Sequence, residues 1–558
     1  MSHLSKRNKI CYVLGILALV FVASLPAFRS GIYQGHDLSF HLGRIQAIAE
    51  ELRTGHFPVR YESSAWYGHG YVSTTFYGNI FLYIPALLYM AGLPVWRAYN
   101  IYLILVNLFT VLVGFYSFKG IFNSHKWGFL ATGIYTLAGY RLSNLYVRTA
   151  LGEYTAMIFV PLVIYGVYRI YVSKGKYSTI RLIMPLIIGT TGLIQSHILT
   201  TELIAAFVFI FAVINFKTTI ACIKELLLAL VAILGVNAFF LIPFIDAYTS
   251  MDLYINTHLS QTSIRADGLY MCQLFGTLTM GRGSSYPWTA EGEGYLNIGI
   301  LTIICFAAIV LQLILAFAKK NWRQIVKKSA SFKMIVTLFC FGLLAAWMST
   351  VYFPWDAFAG NSAVDQLMSS VQYPWRYVMI VTVCFTICGV YAIRFFCSRL
   401  VEKSAEKVVA INRIDKHFVA VLALVGAIAV VATAYFDYTL SWGNVTVANQ
   451  DADINWADKL YLIDGTDRDL LDNTDIEVDG NKVTLPVFAY ENMHVFDAEG
   501  NELAYTVGQN NCIQVTYDGD YTQLTVKFIE PLSWRVSEVV SLICVIGLVV
   551  VYNKKNKR

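Results

Sequence analysis

Charge is what this sequence has least of: 14% of its 558 residues are Asp, Glu, Lys or Arg, while 57% are hydrophobic. A soluble chain of this length could not hide so much apolar surface. Nucleotide-cradling loops are also missing, since neither a Walker phosphate loop nor a Rossmann glycine pattern occurs. The ten cysteines show no zinc or redox spacing. Several of them (Cys305, Cys340, Cys384, Cys388, Cys544 among these) lie inside apolar runs, where a thiol behaves as a small hydrophobe. Only Cys272 and Cys512 fall in long polar segments, which leaves a disulfide between those two open. No internal repeat is evident, and the middles of the apolar runs are nearly free of charge. Both absences argue against a transporter or flippase, which usually shows inverted repeats and mid-membrane ionisable groups.

What the chain has in quantity is long apolar runs, recurring at about 18 residues or more along its whole length, the mark of a polytopic membrane protein. The mean hydropathy of +0.55 agrees. The net charge of +6 sits in short loops between the runs, which reads as the positive-inside pattern and implies no nucleic-acid partner. Lys6, Arg7 and Lys9 precede the first run, Ile10 to Phe28, which is expected to stay as an uncleaved anchor with the N-terminus in the cytoplasm.

The run 76–93 decides the topology. If it spanned, the basic groups at Lys119/Lys126, Lys174/Lys176/Arg181 and Lys319 to Lys328 would all lie outside, against the orientation bias. It also carries Asn79 and Pro85, so it is expected to be a non-spanning juxtamembrane helix. About twelve transmembrane helices result, near 10–28, 98–118, 127–142, 154–172, 182–196, 199–216, 222–246, 297–317, 333–352, 376–396, 417–437 and 535–552. Both termini are then cytoplasmic. The expected architecture is an all-α membrane domain (1–437, with an outer loop at 29–97), an extracytoplasmic β-domain (438–533), and a last helix with a basic tail (534–558). The β-domain shows strand alternation at Val483 to Tyr490, His494 to Phe496, Glu502 to Val507, Ile513 to Tyr517 and Gln523 to Phe528, with turn residues at 497–501 and 517–520.

The chemistry-bearing residues gather after the first run. Gly35-His36-Asp37-Leu38-Ser39-Phe40-His41-Leu42-Gly43-Arg44 brings an acid, two imidazoles and a guanidinium to the start of a helix. From His41 to Arg53 the apolar residues Leu42, Ile45, Ala49 and Leu52 share one face, as in a helix lying in the membrane interface. A carboxylate at Asp37 can take a proton from an acceptor hydroxyl, and an Asp at that position can equally cap the helix. Arg376, entering an apolar run from Gln372-Tyr373-Pro374-Trp375, can grip a phosphate or snorkel to the interface. Arg148 and Glu153 flank a short outer loop and suit either a mutual ion pair or substrate contact. His197, on a turn between two helices, suits a hydrogen-bonded structural role as well as a substrate contact. Glu291 and Glu293, in the loop 247–296, fit a sugar contact or a flexible turn. Tyr61, Trp66, Tyr67, Tyr71, Phe76 and Tyr77 suit sugar stacking or an interfacial aromatic belt.

With these residues in place, the sequence resembles the bacterial polytopic glycosyltransferases of the GT-C fold. More narrowly it is similar to the YfhO-like membrane proteins, including those labelled 6-pyruvoyl-tetrahydropterin-synthase-related. The residues that carry the resemblance are 35–44, Phe57-Pro58-Val59-Arg60-Tyr61, the run 76–93, Arg148 to Glu153, Gln372 to Arg376 and the terminal β-domain with its last helix. It implies a juxtamembrane catalytic loop with an acidic base, matched by Asp37, and a donor sugar carried on polyprenyl phosphate. It implies no pterin chemistry. The paired acidic motif of the fold's metal-dependent members is absent, so no metal or cofactor is assigned. On this reading the chain is an inverting transferase of the bacterial plasma membrane, acting on a cell-envelope glycan or glycopolymer at the outer face. Arg376, with Arg44 and Arg60, would stabilise the leaving lipid phosphate, and His36 and His41 would orient Asp37 or the donor. Asp37 and Arg376 are then expected to border one cavity. The rival readings are the transporter and a non-catalytic membrane scaffold that displays the β-domain.

Overall fold

The computed structural model describes residues 6–173, 175–258, 264–276, 296–318, 330–358, 362–403, 416–440, 445–446 and 459–554. Helix α1 (Lys6–Ala23) enters the bundle and hands over to a loop that carries α2 (Leu38–Arg53) and α3 (Tyr83–Met90). At 1.5 Å per residue α3 reaches about 12 Å, too short to cross a bilayer. The bundle continues with α4 (Val95–Phe122), α5 (His125–Thr136), α6 (Gly139–Tyr146), α7 (Leu151–Ala156), α8 (Val160–Val172), α9 (Thr179–Ile194) and α10 (Ile198–Ile214). It is completed by α11 (Ile223–Val236), α12 (Ala238–Ser250), α13 (Ile300–Phe317), α14 (Ala330–Met348), α15 (Val378–Lys403), α16 (Lys416–Leu440) and α17 (Leu532–Lys554).

Among the described residues, six helical stretches are long and apolar enough to cross a membrane, or seven if the bent pair α11–α12 counts as one. The protein is a helical membrane protein by that measure, and the expected count of twelve is not reached. Four further apolar helices, in α1, α9, α10 and α14, are shorter than that length, and two expected spans are interrupted at polar residues. The expected helix 127–142 stops at Thr136, whose carbonyl is taken by the buried Arg141 guanidinium at 3.0 Å, and resumes as α6. The expected helix 222–246 bends by 72° between α11 and α12. There Asn237 binds Gln195 and Thr191 side chains at 3.0 and 2.9 Å. The stretch Pro374–Ser398, which includes most of α15, is 78% buried and forms the centre of the bundle, whereas α17 is 11% buried and lies at its edge.

Helix α2 departs from the expected interfacial helix. Its polar residues His41, Arg44, Gln46 and Glu51 are buried along with Leu42, Ile45 and Ala49, because α3 and α4 cover it on one side while Phe40 joins a separate core on another.

Two antiparallel sheets follow α16: β3 (Glu477–Asp479), β4 (Lys482–Phe488), β8 (Cys512–Thr516) and β7 (Tyr505–Val507) in one, and β6 (Glu502–Leu503), β5 (Met493–Phe496) and β9 (Thr525–Phe528) in the other. A two-residue ladder of β1 (Ile32–Tyr33) with β2 (Val445–Thr446) ties the first loop to this region. The sheets do not stand apart. Their core residues Leu485, Phe488, Tyr490 and Val515 form one cluster with Phe40, Trp66, Tyr71 and Phe76 of the first loop. Phe76 stacks on Tyr461 at 4.8 Å and Tyr61 on Phe528 at 5.2 Å, while the Phe488 amide donates to the His69 carbonyl at 2.9 Å. The loop aromatics therefore serve chiefly as core here, with Tyr67 the exposed one of the six. Cys512 is buried in β8 and no disulfide joins it to Cys272.

Candidate functional site

The site is built where three segments distant in sequence meet. Residues 35–37 lie directly on 147–149: the Asp37 amide donates to the Arg148 carbonyl at 3.0 Å. Gly35 makes the approach feasible, since a Cβ there would collide with the Thr149 side chain and the Val147 carbonyl. Gly152 does the same for α7, whose start lies against Ser196 and His197. The third segment is 371–376, leading into α15 through a short 3₁₀ turn, Pro374–Tyr377. Two non-glycine residues with left-handed backbone flank the arginines: Thr149 (φ 51°) follows Arg148, and Gln372 (φ 62°) precedes Arg376. Such conformations are costly, more so for a β-branched residue, and are retained where surrounding packing demands them.

Asp37 occupies the N-cap position of α2, yet its side chain makes no capping hydrogen bond. The capping alternative is thus not what the carboxylate does. It is half-buried, and His36 beside it is exposed. Directly behind is a buried charge cluster. Glu153 receives Arg148 at 2.8 Å, the Tyr140 hydroxyl at 2.5 Å and the Asn144 amide at 3.2 Å, and the Arg376 guanidinium lies 3.8 Å away. Arg148 also donates to Asn144 Oδ1 at 2.6 Å. Arg376 donates to the Val371 carbonyl and to Gln372 Oε1 at 2.7 and 2.8 Å. The expected Arg148–Glu153 ion pair is therefore present, and Arg376 is 8% exposed rather than snorkelling. Burial opposes the charge on Arg148, but Glu153, Tyr140 and Asp37 more than offset it, so its pKa is raised. Two guanidinium groups thus share one buried carboxylate, and Asp37 supplies the balancing charge at the rim.

Tyr373 marks the rim on the other side. It stacks on Trp375 at 4.3 Å, Arg376 lies 5.3 Å from its ring and Arg148 lies 5.8 Å from the Trp375 ring. Burial raises the Tyr373 phenol, and Arg376, Asp267, Arg148 and Asp37 all act on it electrostatically. The charges of Asp37 and Arg376 are thus both felt at Tyr373. Neither residue lines any of three cavities of about 300, 40 and 10 Å³ elsewhere in the bundle. Arg148 and Arg376 are instead seen packed together on Glu153.

His41 and His197 are held neutral. His41 accepts from the Leu151 amide through Nε2 at 3.2 Å, which puts its proton on Nδ1, an atom with no acceptor among the described residues. Burial, then Arg44 and His197, push its pKa well down. His197 caps α10 by accepting from the Thr200 amide at 3.3 Å. Burial and Arg376 bring its pKa down to about 3, against a smaller opposing pull from Glu153. Its structural role is thus visible, with the charge cluster as its neighbour.

Two expected phosphate ligands point elsewhere. Arg44 is 3% exposed, donates to Asn79 Oδ1 at 2.9 Å and lies 4.5 Å from the Tyr77 ring. Arg60 donates to the Phe239 carbonyl at 2.6 Å and lies 3.6 Å from Glu538 of α17. Arg44 braces α2 against the 77–79 segment of the same loop, and Arg60 braces the loop against α12 and α17. Glu291 and Glu293 lie outside the described residues. Sequence reading missed Tyr140, near the end of an expected helix, Asn144 just beyond it, and Arg141, which is fully buried and binds Asn107 and Thr110 at 2.8 Å each. Among the described residues no three His, Cys, Asp or Glu side chains gather as metal ligands do.

The fold and site define a helical membrane protein with a half-buried acid at the edge of a buried arginine–glutamate cluster. No known family model matches the chain. It is 24% identical over 365 residues to an uncharacterized protein of Lactococcus lactis subsp. cremoris, covering 64% of this chain and 56% of that one. Among solved structures, similarity is found to the oligosaccharyltransferase of Archaeoglobus fulgidus in its apo form (TM-score 0.44, 11% identity, 77% of this chain and 56% of that one). It is also found to the arabinofuranosyltransferase AftD from Mycobacteria (TM-score 0.40, 13% identity, 78% and 27%). The chain thus spans about half the length of the first two of these proteins and about a quarter of the third.

Proposed function

We propose that this protein is a membrane glycosyltransferase that moves a sugar from a polyprenyl-phosphate donor to an extracytoplasmic acceptor, such as a cell-envelope glycan, with inversion at the anomeric carbon. The acceptor hydroxyl attacks that carbon as its proton passes to Asp37. The bond to the phosphate oxygen breaks, and the lipid phosphate leaves with the electron pair. Asp37 suits the base because its carboxylate is half-buried and not used as a helix cap. Arg376 and Arg148 sit behind it as fixed positive charge for the leaving phosphate, positioned before the reaction rather than recruited during it. Glu153 holds both guanidinium groups in register, and His41 and His197, being neutral, add no competing charge. Arg44 and Arg60 have no direct part in this assignment.

The observation that carries the reading is that the Asp37 segment packs on Arg148, whose guanidinium shares the Glu153 carboxylate with Arg376. The test is to incubate the purified protein with radiolabelled polyprenyl-phosphate sugars and cell-wall polymer. Asp37→Asn is expected to lower turnover by about 10²–10⁴, the usual worth of a general base, with donor binding largely unchanged. Wild-type transfer by Asp37→Asn would sink the assignment.

A further inference from the structure

A cavity of about 300 Å³ lies inside the bundle between α4, α8, α10, α14 and α15. It is walled by apolar side chains, Ile164, Ile204, Phe207, Phe341, Ile380 and Ile387 prominent among them. Polarity is confined to Asn123, Tyr168, Tyr391 and Arg394, and Arg394 is the one charged group in its lining among the described residues. Across it α10 meets α14 through aromatic edges, Phe207 to Phe341 at 5.5 Å and Phe211 to Phe341 at 6.5 Å.

The cavity runs along α15 from Ile380, one turn below Arg376, to a mouth at Arg394, and that mouth lies at the opposite end of the bundle from Asp37. Along α15 and the turn before it, Arg376 and Arg394 are separated by about 27 Å of helix, close to the thickness of the bilayer's hydrocarbon core. Arg394 is exposed there. It donates through Nη1 to the Phe122 carbonyl at 2.9 Å, and its other N–H groups meet no acceptor among the described residues. An apolar void of this size left empty forfeits dispersion contacts along its whole lining, and water gains few partners in it. Hydrocarbon chains are the solvent of such a protein and match the lining, and the one cation at the mouth selects the headgroup.

We propose that this cavity binds one acyl chain of an anionic bilayer phospholipid, with the lipid phosphate held by Arg394. The lipid is neither donor nor acceptor and lies in the leaflet opposite the Asp37 site. The α15 face that lines the cavity (Ile380, Val383, Ile387, Tyr391, Arg394) continues the helix that begins beside Arg376, so an occupied cavity also fixes that helix.

The experiment uses the full chain reconstituted with equal phosphatidylglycerol and phosphatidylethanolamine, extracted in mild detergent and weighed by native mass spectrometry. One phosphatidylglycerol retained per chain is expected, in clear excess over phosphatidylethanolamine. Filling the cavity with Ile204→Trp is expected to remove the retained lipid. Arg394→Gln is expected to reduce phosphatidylglycerol retention about tenfold, the worth of one charge-assisted contact, and to erase the headgroup preference. Because Arg394 is exposed, that variant decides the matter even if Ile204→Trp fails to fold. Equal retention of the two lipids by the wild type overturns the proposal. So does unchanged phosphatidylglycerol retention in Arg394→Gln, or a polyprenyl phosphate found in place of the phospholipid.

Discussion

At the scale of residues, Arg376 and Glu62 show how burial turns a charge into a constraint. Arg376 holds its guanidinium between the Val371 carbonyl, Gln372 and Glu153, a planar geometry that a point charge cannot copy. Arg376→Ala is expected to raise the donor Kd by about tenfold or more, and Arg376→Lys to recover only part of that, as read by donor-binding titration. Glu62 is 3% exposed and accepts from the Ser73 hydroxyl at 2.6 Å. Burial raises its pKa to about 7, with Ser73 and Arg44 pulling the other way. The folded protein therefore binds a proton at Glu62 that the unfolded chain gives up above its ordinary carboxyl range. Stability from this group is full at low pH and falls as pH rises from about 4.5 to about 7, then levels off. Unfolding scans across that range should show the decline in wild type and a flatter profile in Glu62→Gln. An unchanged profile would mean that Glu62 stays ionised in the fold.

At the scale of elements, the loop after α1 is positioned by contact with the start of α7 rather than by its own periodicity. Gly35 is the point of closest approach to 147–149. Gly35→Ala is expected to cost about 1–3 kcal/mol by overpacking and to lower transfer more than that loss of stability explains, because the Asp37 amide would move off the Arg148 carbonyl. Thermal unfolding alongside single-turnover rates separates the two effects. Equal rates in the variant and wild type would place Asp37 outside the reacting geometry. The amphipathic stripe of α2 was readable in sequence, but its polar face proved to be buried too. Periodicity reports that two faces differ; it does not report that the polar one is wet.

At the scale of the whole molecule, the sheets and the first loop share one core. Tyr71 is fully buried, touches Trp66 and Tyr461, and accepts from the Tyr461 amide at 3.2 Å. Tyr71→Ala removes that aromatic centre, at a cost of about 3–5 kcal/mol. Residues 459–530 are expected to be cut faster by protease in reconstituted vesicles, along with the loop 57–77. Faster cutting of the sheets alone would show that the two halves fold independently.

The sequence by itself determined the membrane class, because hydrophobic runs are local sums that need no partner. It also determined the strands between 482 and 528, whose turn residues and alternation are local, and the candidacy of Asp37, Arg148, Glu153 and Arg376. Only the tertiary structure decided which of the charges meet. Arg376 reaches Glu153, while Arg44 and Arg60, equally prominent in sequence, turn to Asn79 and to the Phe239 carbonyl. It also decided where helices break, at Thr136 and Asn237, since a buried guanidinium or amide can claim backbone groups that an apolar run would have kept for itself. Those choices depend on what packs against each side chain from far along the chain, and no local pattern encodes that.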